Sequence, residues 1–363
     1  MKVVTVLGAR PQFIKAAAVG RILRQHGEIE EVLVHTGQHF DSNMSDVFFQ
    51  ELSMEAPKYN LGIGGGRHGA MTGRQLEAVE QVLVDERPDA VVVYGDTNST
   101  LSGALAASKL HIPVAHVEAG LRSHNRRMPE EINRIMTDHL SNWLFAPTSL
   151  AMVNLAREGI DPARCVLVGD VMLDASLAFR EQATQKSKIL SRVKVQAGGF
   201  ALATVHRAEN VDDPVKLALI IEALRRVSSK IPVVWPVHPR TRAIIAAIDI
   251  GAAVMQNVQM IDPIGYLDMV VLESSAAVIA TDSGGVQKEA FFFQIPCVTL
   301  RAETEWMELV ESGWNRLVEP LNAGAVADAV LGAVGSVGRE VRPYGYGDAA
   351  VKIVERLSAD LIG

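Results

Sequence analysis

Short apolar runs alternate along the chain with longer segments in which apolar residues recur at helical spacing. In the first half the runs fall at residues 3–7, 31–35, 90–93, 114–117, 143–146 and 166–168. In the second half they fall at residues 200–205, 233–236, 254–255, 277–281 and 297–300. Apolar runs without polar alternation are typical of parallel strands buried on both faces. The pattern therefore predicts an α/β protein with two doubly wound, Rossmann-like domains.

The length of 363 residues is consistent with two domains of ordinary size. We expect a first domain over residues 1–169 and a second over 170–345, with the polar stretch 180–197 forming an exposed helix near the start of the second. The amphipathic segment 346–363 predicts a C-terminal helix that could pack on the first domain. Ligands of such folds bind beyond the carboxyl ends of the strands, so the cleft between the domains is the predicted site.

Composition and charge exclude several classes of protein. The chain is 48% hydrophobic and 21% charged, which is typical of a folded globular protein and not of a disordered one. A net charge of −7 and a pI near 5.8 argue against general binding to nucleic acid or to membranes. The N-terminal apolar run is too short for a signal peptide, and Cys165 and Cys297 have no metal-binding spacing. We therefore expect a cytoplasmic protein without a metal.

A glycine-rich segment at residues 64–69, GGGRHG, matches the Gly-x-Gly-x-x-Gly pattern of dinucleotide-binding proteins. That fingerprint must directly follow a buried strand, whereas the segment KYNLGI precedes it here. We interpret the segment as a glycine-rich loop and expect no nicotinamide cofactor.

Two cationic side chains follow the first predicted strand. The sequence GARPQFIK places Arg10 and Lys15 at the start of a helix whose first turn contains Pro11. Cations are unfavourable at the positive end of a helix unless an anion joins them. The segment thus predicts a site for an anionic substrate, and an exposed pair of surface charges is the alternative.

The segment TDSGGVQKE follows another apolar run and is the strongest single motif for phosphate binding. Gly284 and Gly285 let backbone N–H groups approach a phosphate at the start of a helix, and the Ser283 hydroxyl can donate as well. Glu289, about one turn further along, could accept hydrogen bonds from ribose hydroxyls. The alternative is that Asp282 or Ser283 is an ordinary helix N-cap.

Acidic side chains also stand directly after apolar runs or at the start of a predicted helix. Asp96 lies in YGDTNST, Glu118 in HVEAG, and Glu130 in MPEEINR, where Arg134 follows four residues later on the same helix face. Each carboxylate alone could be a cap or half of a surface ion pair. Gathered in one cleft, they could divide acid, base and electrostatic roles, because neighbouring carboxylates take different pKa values.

Two histidines follow strands of the second half. His206 and Arg207 come after the run 200–205, and His238 comes after the next run. A lone histidine is more often structural, but a histidine and an arginine at the carboxyl end of a strand can act as an acid–base and phosphate-binding pair. We therefore include His206, Arg207 and His238 in the predicted site.

Six motifs now stand in order: GARPQFIK, YGDTNST, HVEAGLRS, MPEEINR, TVHRAEN and TDSGGVQKEA. Together they resemble the motifs of the non-hydrolysing UDP-N-acetylglucosamine 2-epimerases over nearly the whole chain. The resemblance implies a fold like that of GT-B glycosyltransferases, an active site between the domains and, commonly, a homodimer. It also implies interconversion of UDP-GlcNAc and UDP-ManNAc by elimination of UDP to a glycal and re-addition, with no nicotinamide or metal cofactor.

The resemblance also assigns roles to individual residues. The family's catalytic residues fall here on Asp96, Glu118, Glu130 and His206. The residues that bind its nucleotide diphosphate fall on Arg10, Lys15, Ser283, Gly284, Gly285 and Glu289, and Arg134 matches the motif arginine.

The chain departs from the common family pattern in three places. Gln12 stands where a glutamate is common, Trp306 stands where an arginine is common, and the loop SHNRRMPEE is shorter than in the main bacterial branch. The shorter loop resembles the branch that acts on UDP-2,3-diacetamido-2,3-dideoxyglucuronate and supplies O-antigen synthesis. In that branch a sugar carboxylate at C6 could meet Arg126 or Arg127.

The allosteric UDP-GlcNAc site of some members is matched here only in part. Gln38, His39 and Arg67 resemble it, whereas Asp41 stands where a glutamine is typical. We therefore expect no strict activation by substrate.

The sequence leaves a main interpretation and several alternatives. The main interpretation is a UDP-GlcNAc 2-epimerase, and the first alternative is the diacetamido-glucuronate 2-epimerase of the same family. A GT-B glycosyltransferase shares the fold, but three clustered carboxylates with His206 exceed its usual needs. A hydrolysing epimerase, which releases UDP, and a non-enzymatic nucleotide-sugar sensor are the remaining alternatives.

Overall fold

The first half of the chain forms a parallel sheet, in which the described residues supply seven strands. The structure, a computed structural model, describes residues 1–38, 46–247 and 258–362. The strands are β1 (Lys2–Leu7), β2 (Glu30–His35), β3 (Tyr59–Asn60), β4 (Ala90–Tyr94), β5 (Val114–Val117), β6 (Trp143–Ala146) and β7 (Cys165–Leu167). Their order is β3-β2-β1-β4-β5-β6-β7, and the pairings are parallel, which confirms the predicted α/β class.

The second half forms another parallel sheet, to which the described part of the chain contributes six strands. They are β8 (Ala201–Thr204), β9 (Val233–Pro236), β10 (Val258–Ile261), β11 (Val278–Thr281), β12 (Cys297–Thr299) and β13 (Asn315–Leu317), in the order β10-β9-β8-β11-β12-β13. The strand predicted at 254–255 lies outside the described residues. The sequence did not indicate β3 or β13, because each is short and neither is a run of apolar residues.

Helices connect the strands in both halves. In the first half they are α1 (Arg10–His26), α2 (Asp46–Glu51), α3 (His68–Glu86), α4 (Asn98–Lys109), α5 (Pro129–Leu140), α6 (Ser149–Arg157) and α7 (Val171–Lys186). The others are α8 (Ile189–Arg192), α9 (Ala208–Val211), α10 (Pro214–Ser228), α11 (Pro239–Ala247), α12 (Tyr266–Ser275), α13 (Gly284–Phe292), α14 (Met307–Glu311), α15 (Ala323–Ala333) and α16 (Ala349–Ile362). None of the described helices is both long and apolar enough to cross a membrane.

The stretch 180–197 is not the single exposed helix that its polar composition predicted. The helix α7 ends at Lys186, and α8 covers only Ile189–Arg192. Ile189 and Val193 are buried, and Lys194 has a left-handed backbone with φ of 54°. The chain turns here because two apolar side chains enter the core, and this interrupts the helical periodicity.

The chain divides into two compact units. The first comprises Met1–Ala178 with Arg342–Gly363, and the second comprises Phe179–Val341, so the division falls inside α7. The C-terminal helix α16 packs against α1 in the first unit. Two hydrogen bonds hold it there: Trp143 Nε1 donates to Asp360 Oδ2 at 2.6 Å, and the Ala350 N–H donates to Asp174 Oδ1 at 2.8 Å.

Close packing of α4 on the sheet places the start of that helix behind the end of β4. Gly103 makes this approach possible, because a Cβ there would lie 3.0 Å from the Val93 side chain and 3.1 Å from that of Val6. Thr97 caps the helix by accepting a hydrogen bond from the Thr100 N–H. The turn that carries Asp96 is thereby fixed between a buried strand and a capped helix.

Each sheet reverses its strand order at one point, between β1 and β4 in the first unit and between β8 and β11 in the second. Ligands of doubly wound sheets bind outside the carboxyl ends of the strands at such a point. Lys15, Asp96 and Glu118 follow β1, β4 and β5, and His206 and Ser283 follow β8 and β11. Lys15, Asp96, His206 and Ser283 therefore stand at the two switch points, and Glu118 follows the neighbouring strand β5.

Candidate active site

An ion pair lies at the carboxyl ends of the central strands of the first unit. The Lys15 ammonium, in α1, donates to the Glu118 carboxylate, and each side chain is 10% exposed. The Glu118 backbone is left-handed, with φ of 74°, a conformation that is unfavourable for a non-glycine residue. A Cβ at Gly95 would lie 3.3 Å from Glu118 Oε2 and 3.8 Å from Lys15 Nζ, so the turn after β4 lies directly against the pair.

Asp96 lies beside this pair and forms another. Arg134 Nη2 donates to Asp96 Oδ2 at 2.5 Å. Burial raises the pKa of the Asp96 carboxyl above its usual value, and the charges of Glu118 and Glu130 add to the rise, while Arg134 and Lys15 oppose it. The structure thus brings Lys15, Asp96, Glu118 and Arg134 together, with Glu130 near enough to affect Asp96.

Glu131, which the sequence analysis did not select, organises the loop before α5. Its buried carboxylate accepts hydrogen bonds from the N–H groups of Ser123 and His124 at 2.8 and 2.9 Å, and from Arg134 Nη1 at 3.1 Å. Burial raises the pKa of the Glu131 carboxyl, but the hydrogen bonds outweigh this effect and hold it below its usual value. Arg134 therefore bridges Asp96 and Glu131, although the spacing had placed it opposite Glu130.

The hydrogen bonds of Gln12 explain why an amide stands where the family commonly has a glutamate. Its Oε1 accepts from the N–H groups of Gly8 at 2.8 Å and Ala9 at 3.0 Å. Its Nε2 donates to the Tyr94 carbonyl at 2.6 Å and to Thr100 Oγ1 at 2.9 Å. A carboxylate could accept but could not donate to the Tyr94 carbonyl. The amide thus joins the turn after β1 to the end of β4.

In the second unit, a buried carboxylate orders the loop that carries His206. Asp282 is 0% exposed and accepts from the N–H groups of His206 at 3.1 Å and Arg207 at 3.0 Å, and from Asn210 Nδ2 at 3.1 Å. The His206 ring is 55% exposed, with Nδ1 3.4 Å from Asp282 Oδ1. Asp282 is therefore a positioning residue and not the N-cap of α13.

The N-cap of α13 is Ser283, whose side chain accepts from the Val286 N–H. Gly284 and Gly285 form the first turn, where N–H groups have no partner within the helix. A Cβ on Gly284 would lie 3.4 Å from Trp306 Nε1 and 4.0 Å from Arg207 Nη2. The helix start, the Arg207 guanidinium and the Trp306 indole therefore adjoin one another.

A further charged cluster supports this region from the loop after β12. Arg301, with a side chain 5% exposed, donates to both carboxylate oxygens of Glu305 at 2.9 and 3.2 Å. Arg207 Nη2 lies 3.7 Å from the same carboxylate. The Lys288 ammonium lies 4.5 Å from the centre of the Trp306 ring, a cation–π contact that fixes the indole.

The remaining predicted residues have simpler surroundings. Arg10 is exposed at the start of α1, and Glu130 is half-buried in the first turn of α5. His238 is exposed after β9, with Nδ1 accepting from the Arg240 N–H at 3.2 Å. Glu289 is buried in α13.

Of the residues that partly match an allosteric site, Gln38 is described, and its Oε1 accepts from the Ser99 N–H at 3.0 Å. His39 and Asp41 lie outside the described residues. Gln38 is thus bound to the start of α4, next to the turn that carries Asp96.

Comparison with known proteins decides the family. The UDP-N-acetylglucosamine 2-epimerase family model matches residues 21–358. This chain belongs to the UDP-N-acetylglucosamine 2-epimerase family. The resemblance inferred from the six motifs is confirmed, and the protein is an isomerase, a UDP-sugar 2-epimerase.

Relatives of the epimerase family cover the whole chain. It is 51% identical over 366 residues to the UDP-2,3-diacetamido-2,3-dideoxy-D-glucuronate 2-epimerase of Pseudomonas aeruginosa, with 99% of each chain covered. It is 42% identical to the Methanocaldococcus jannaschii UDP-GlcNAc 2-epimerase solved with UDP-GlcNAc and UDP, with a TM-score of 0.86 over 99% of this chain and 100% of that one. The Neisseria meningitidis enzyme bound to UDP-GlcNAc is 32% identical, with a TM-score of 0.87 over the same shares. The fold of two parallel sheets with interleaved helices is therefore that of the GT-B-like epimerases.

Glu131, Asp138 and Asp282 left weaker signals in the sequence than the predicted site residues did. Glu131 and Asp138 lie seven residues apart on the buried face of α5, and polar residues at core spacing were the available signal. Asp282 stands directly after a buried strand, and Asp96 stands two residues after one. The position of Asp282 also fits a helix cap. A buried acidic residue beside a loop of orphan N–H groups is an equally good interpretation.

Proposed function

We propose that the protein is a UDP-2,3-diacetamido-2,3-dideoxy-D-glucuronate 2-epimerase. The observation that carries this proposal is the 51% identity over 99% of both chains to a relative of that name, against 49% for a relative named UDP-N-acetylglucosamine 2-epimerase homolog and 43% for one named UDP-N-acetylglucosamine 2-epimerase. UDP-GlcNAc is the second candidate substrate, because the 42% identical solved relative is described as a complex with it. Both candidates are UDP-linked 2-acetamido sugars, so the chemistry at C2 is common to them.

The arginines of the loop before α5 support the acidic sugar. Arg126 and Arg127 are exposed, and the Arg127 N–H donates to Asn125 Oδ1 at 3.1 Å. Glu131 anchors the loop through the N–H groups of Ser123 and His124. A loop fixed at its base can present a guanidinium to a C6 carboxylate, for which arginine is well suited. UDP-GlcNAc has no such carboxylate.

The reaction requires acid–base groups on both faces of C2. The C2 proton of an N-acetyl sugar has no adjacent carbonyl, so inversion proceeds by breaking the C1–O bond to UDP and removing the C2 proton to form a glycal. UDP then adds back to C1 while a proton is delivered to the opposite face of C2. A positioned base contributes about 10²–10⁴-fold to such a step. Asp96, Glu118 and Glu130 divide these proton transfers and the stabilisation of positive charge at C1.

The state of these carboxylates supports that division. Burial, first, and the neighbouring carboxylates raise the pKa of Asp96, which favours its protonated form more than in an exposed aspartate. Glu118, ion-paired with Lys15, is favoured as a carboxylate, which suits a base or a stabiliser of cationic charge. Arg134 keeps Asp96 oriented through a direct ion pair. Which face of C2 each group serves depends on how the sugar lies among them.

Each unit offers donors for a diphosphate in this proposal. Ser283, Gly284 and Gly285 offer the helix start of α13 to the diphosphate, and His206 and Arg207 lie in the loop ordered by Asp282. Arg10 and Lys15 add cations from α1, and each such electrostatic donor contributes about 3 kcal/mol to stabilising a departing oxyanion. Glu289 binds the ribose hydroxyls and His238 contacts the nucleotide.

We also propose a homodimer formed through α5. Met128, Ile132 and Met136 lie one helical turn apart and are 36%, 46% and 42% exposed. An apolar stripe on an exposed helix face is favoured at an interface between subunits. Sedimentation of the wild type and of Ile132→Lys tests this: a wild-type monomer, or an unchanged dimer in the variant, would contradict it.

The protein acts, in this proposal, in the cytoplasm, where nucleotide sugars for O-antigen and related cell-surface polysaccharides are made. No metal or nicotinamide cofactor takes part in the proposed reaction, and the protein partner is a second copy of the chain.

Proton NMR of the purified protein in D₂O, with each UDP-sugar in parallel, tests the proposed function. We expect deuterium at C2 and a new manno epimer from the diacetamido-glucuronate, with no lasting release of UDP. A faster reaction with UDP-GlcNAc would overturn the substrate, lasting UDP release would indicate a hydrolase, and no exchange with either sugar would refute the activity. Glu118→Gln is the matched control, because exchange from a contaminating epimerase would survive it.

A further inference from the structure

A group of three buried polar side chains lies next to the turns that carry Asp96 and Glu118. It consists of His116 on β5, Arg122 in the loop that follows, and Asp138 on α5. Their side chains are 0%, 1% and 0% exposed. None of the three belongs to the groups assigned above to the substrate.

His116 forms hydrogen bonds through both ring nitrogens. Its Nε2 lies 2.7 Å from the Gly95 carbonyl oxygen, and its Nδ1 lies 2.7 Å from Asp138 Oδ1. A carbonyl oxygen only accepts, so Nε2 carries a hydrogen. The other oxygen of Asp138 accepts from the Gly120 N–H at 3.1 Å and lies 2.7 Å from Arg122 Nη2. Asp138 therefore joins His116, Gly120 and Arg122.

Arg122 is the third member of this group and pairs with two carboxylates. Burial raises the pKa of the Asp138 carboxyl, but the positive charges of His116 and Arg122 outweigh it and hold that pKa below its usual value. Arg122 also donates to both oxygens of Glu158 at 2.7 Å and to the Leu121 carbonyl at 2.7 Å. Arg122 therefore joins the carboxylates of Asp138 and Glu158, and a buried guanidinium requires such partners.

The backbone atoms that His116 and Asp138 contact belong to the turns that carry Asp96 and Glu118. Gly95 directly precedes Asp96, and Gly120 follows Glu118 by two residues. Gly95, Glu118 and Gly120 all have left-handed backbones, with φ of 64°, 74° and 80°. Such conformations persist where surrounding contacts determine them, and Asp138 reaches both turns, one directly and one through His116.

We propose that His116, Asp138 and Arg122 form a positioning triad that sets the placement of Asp96 relative to Glu118. The triad touches no reacting atom and acts through the Gly95 carbonyl and the Gly120 N–H. It rests on the proposed function in that Asp96 and Glu118 are the groups whose geometry limits turnover. Misplacement of a reacting group by about 1 Å can cost about 100-fold in rate.

Asp138→Asn tests the triad with little change of shape. The amide oxygen can still accept from Gly120 and Arg122, but the amide N–H₂ then faces His116 Nδ1, which must become an acceptor. The Nε2–H keeps its bond to Gly95, while the bond at Nδ1 changes. We expect kcat to fall about 10- to 100-fold, with KM and UDP affinity within about threefold of wild type. Nitrogen NMR of the ring should show the Nε2 signal unchanged and the Nδ1 signal shifted in the variant.

Asp174→Asn is the matched control. Asp174 is buried in the same unit and accepts from the Ala350 N–H, away from both turns. We expect it to lower the melting temperature without changing kcat. If Asp138→Asn also lowers only the melting temperature, the residue is structural and the proposal is wrong.

Two further readouts keep the test independent of folding and of the substrate. If Asp138→Asn does not fold, Arg122→Lys keeps a positive charge beside Asp138 but cannot bond Asp138, Glu158 and Leu121 together; an unchanged kcat there would overturn the proposal. An unchanged His116 Nδ1 signal in Asp138→Asn would also overturn it. Absence of turnover in wild type with either sugar would instead refute the proposed function, since the ring NMR does not depend on it.

Discussion

The two switch points carry their charges in different arrangements. In the first unit, the acidic groups are paired directly with cations: Glu118 with Lys15, and Asp96 with Arg134. In the second unit, the buried carboxylate of Asp282 is used to order backbone N–H groups, and the His206 ring beside it is 55% exposed. The first edge pairs its acidic groups with cations, whereas the second uses its buried carboxylate to order backbone N–H groups.

The difference follows from what each half of a nucleotide sugar requires. Proton transfer at C2 needs groups whose protonation states are tuned by neighbours and whose positions are fixed before the substrate arrives. A diphosphate brings two or more negative charges of its own and needs N–H groups and cations aimed at it. In the proposed function the first unit therefore supplies the acid–base carboxylates, whereas the second unit places its carboxylate behind a loop of N–H donors.

The largest expected effect comes from removing an acid–base group of the first unit. Asp96→Asn and Glu118→Gln should each lower kcat about 10²–10⁴-fold, because the amide cannot transfer a proton. UDP affinity, measured by calorimetry, should stay within about threefold of wild type, since the second unit supplies the helix start of α13. Turnover within about tenfold of wild type in both variants would contradict the assignment.

Asp282→Asn should break the second region in a different way. The amide places an N–H₂ group among three N–H donors, and an unsatisfied buried donor costs about 1–3 kcal/mol. As the loop of His206 and Arg207 loosens, we expect UDP affinity and kcat to fall together, by about tenfold each. Ser283→Ala, which removes only a cap worth about 1 kcal/mol, is the comparison variant. A lower kcat with unchanged UDP affinity would place Asp282 with the acid–base groups instead.

Each unit also contains a buried carboxyl, outside the proposed acid–base groups, that makes the stability of the fold depend on pH. Burial raises the pKa of Glu31 to about 7, although Thr5 Oγ1 donates to it at 2.6 Å. Glu273, in the second unit, also has a pKa raised by burial, and its oxygens have no hydrogen-bond partner among the described residues. Protonation of either carboxyl therefore favours the folded state.

For Glu31 the direction of the pH effect follows from its two pKa values. The folded protein holds a proton that the unfolded chain releases near pH 4.5, so the free energy of unfolding falls as the pH rises from about 4.5 to about 7. Glu31→Gln should remove this loss, which amounts to up to about 3 kcal/mol above pH 7. Urea denaturation at pH 5 and pH 8 measures it, with the exposed neighbour Glu30→Gln as control. An equal difference between wild type and Glu31→Gln at both pH values would contradict the burial of this carboxyl.

Much of the fold could be predicted because its strands are buried on both faces. The run at 90–93, for example, has no polar position, and β4 is fully buried as expected. Where the pattern was wrong, long-range packing decided the outcome: Ile189 and Val193 turn into the core and end the helix predicted through 180–197. The strand β13 escaped notice because Asn315 and Arg316 lie in it, and Asn315 is held by Thr299 and Gln287 from other elements.

The sequence by itself determined the α/β class, the family and the positions of the polar residues that follow buried strands, since these depend on local order along the chain. Only the tertiary structure decided which charges meet. Lys15 and Glu118 are 103 residues apart, and His206 and Asp282 are 76 apart, in the chain. Spacing carries no record of such pairings, because parallel strands adjacent in a sheet are joined through helices of variable length. Glu131, Asp138 and Asp282 therefore became recognisable as positioning residues only when the sheets brought their partners to them.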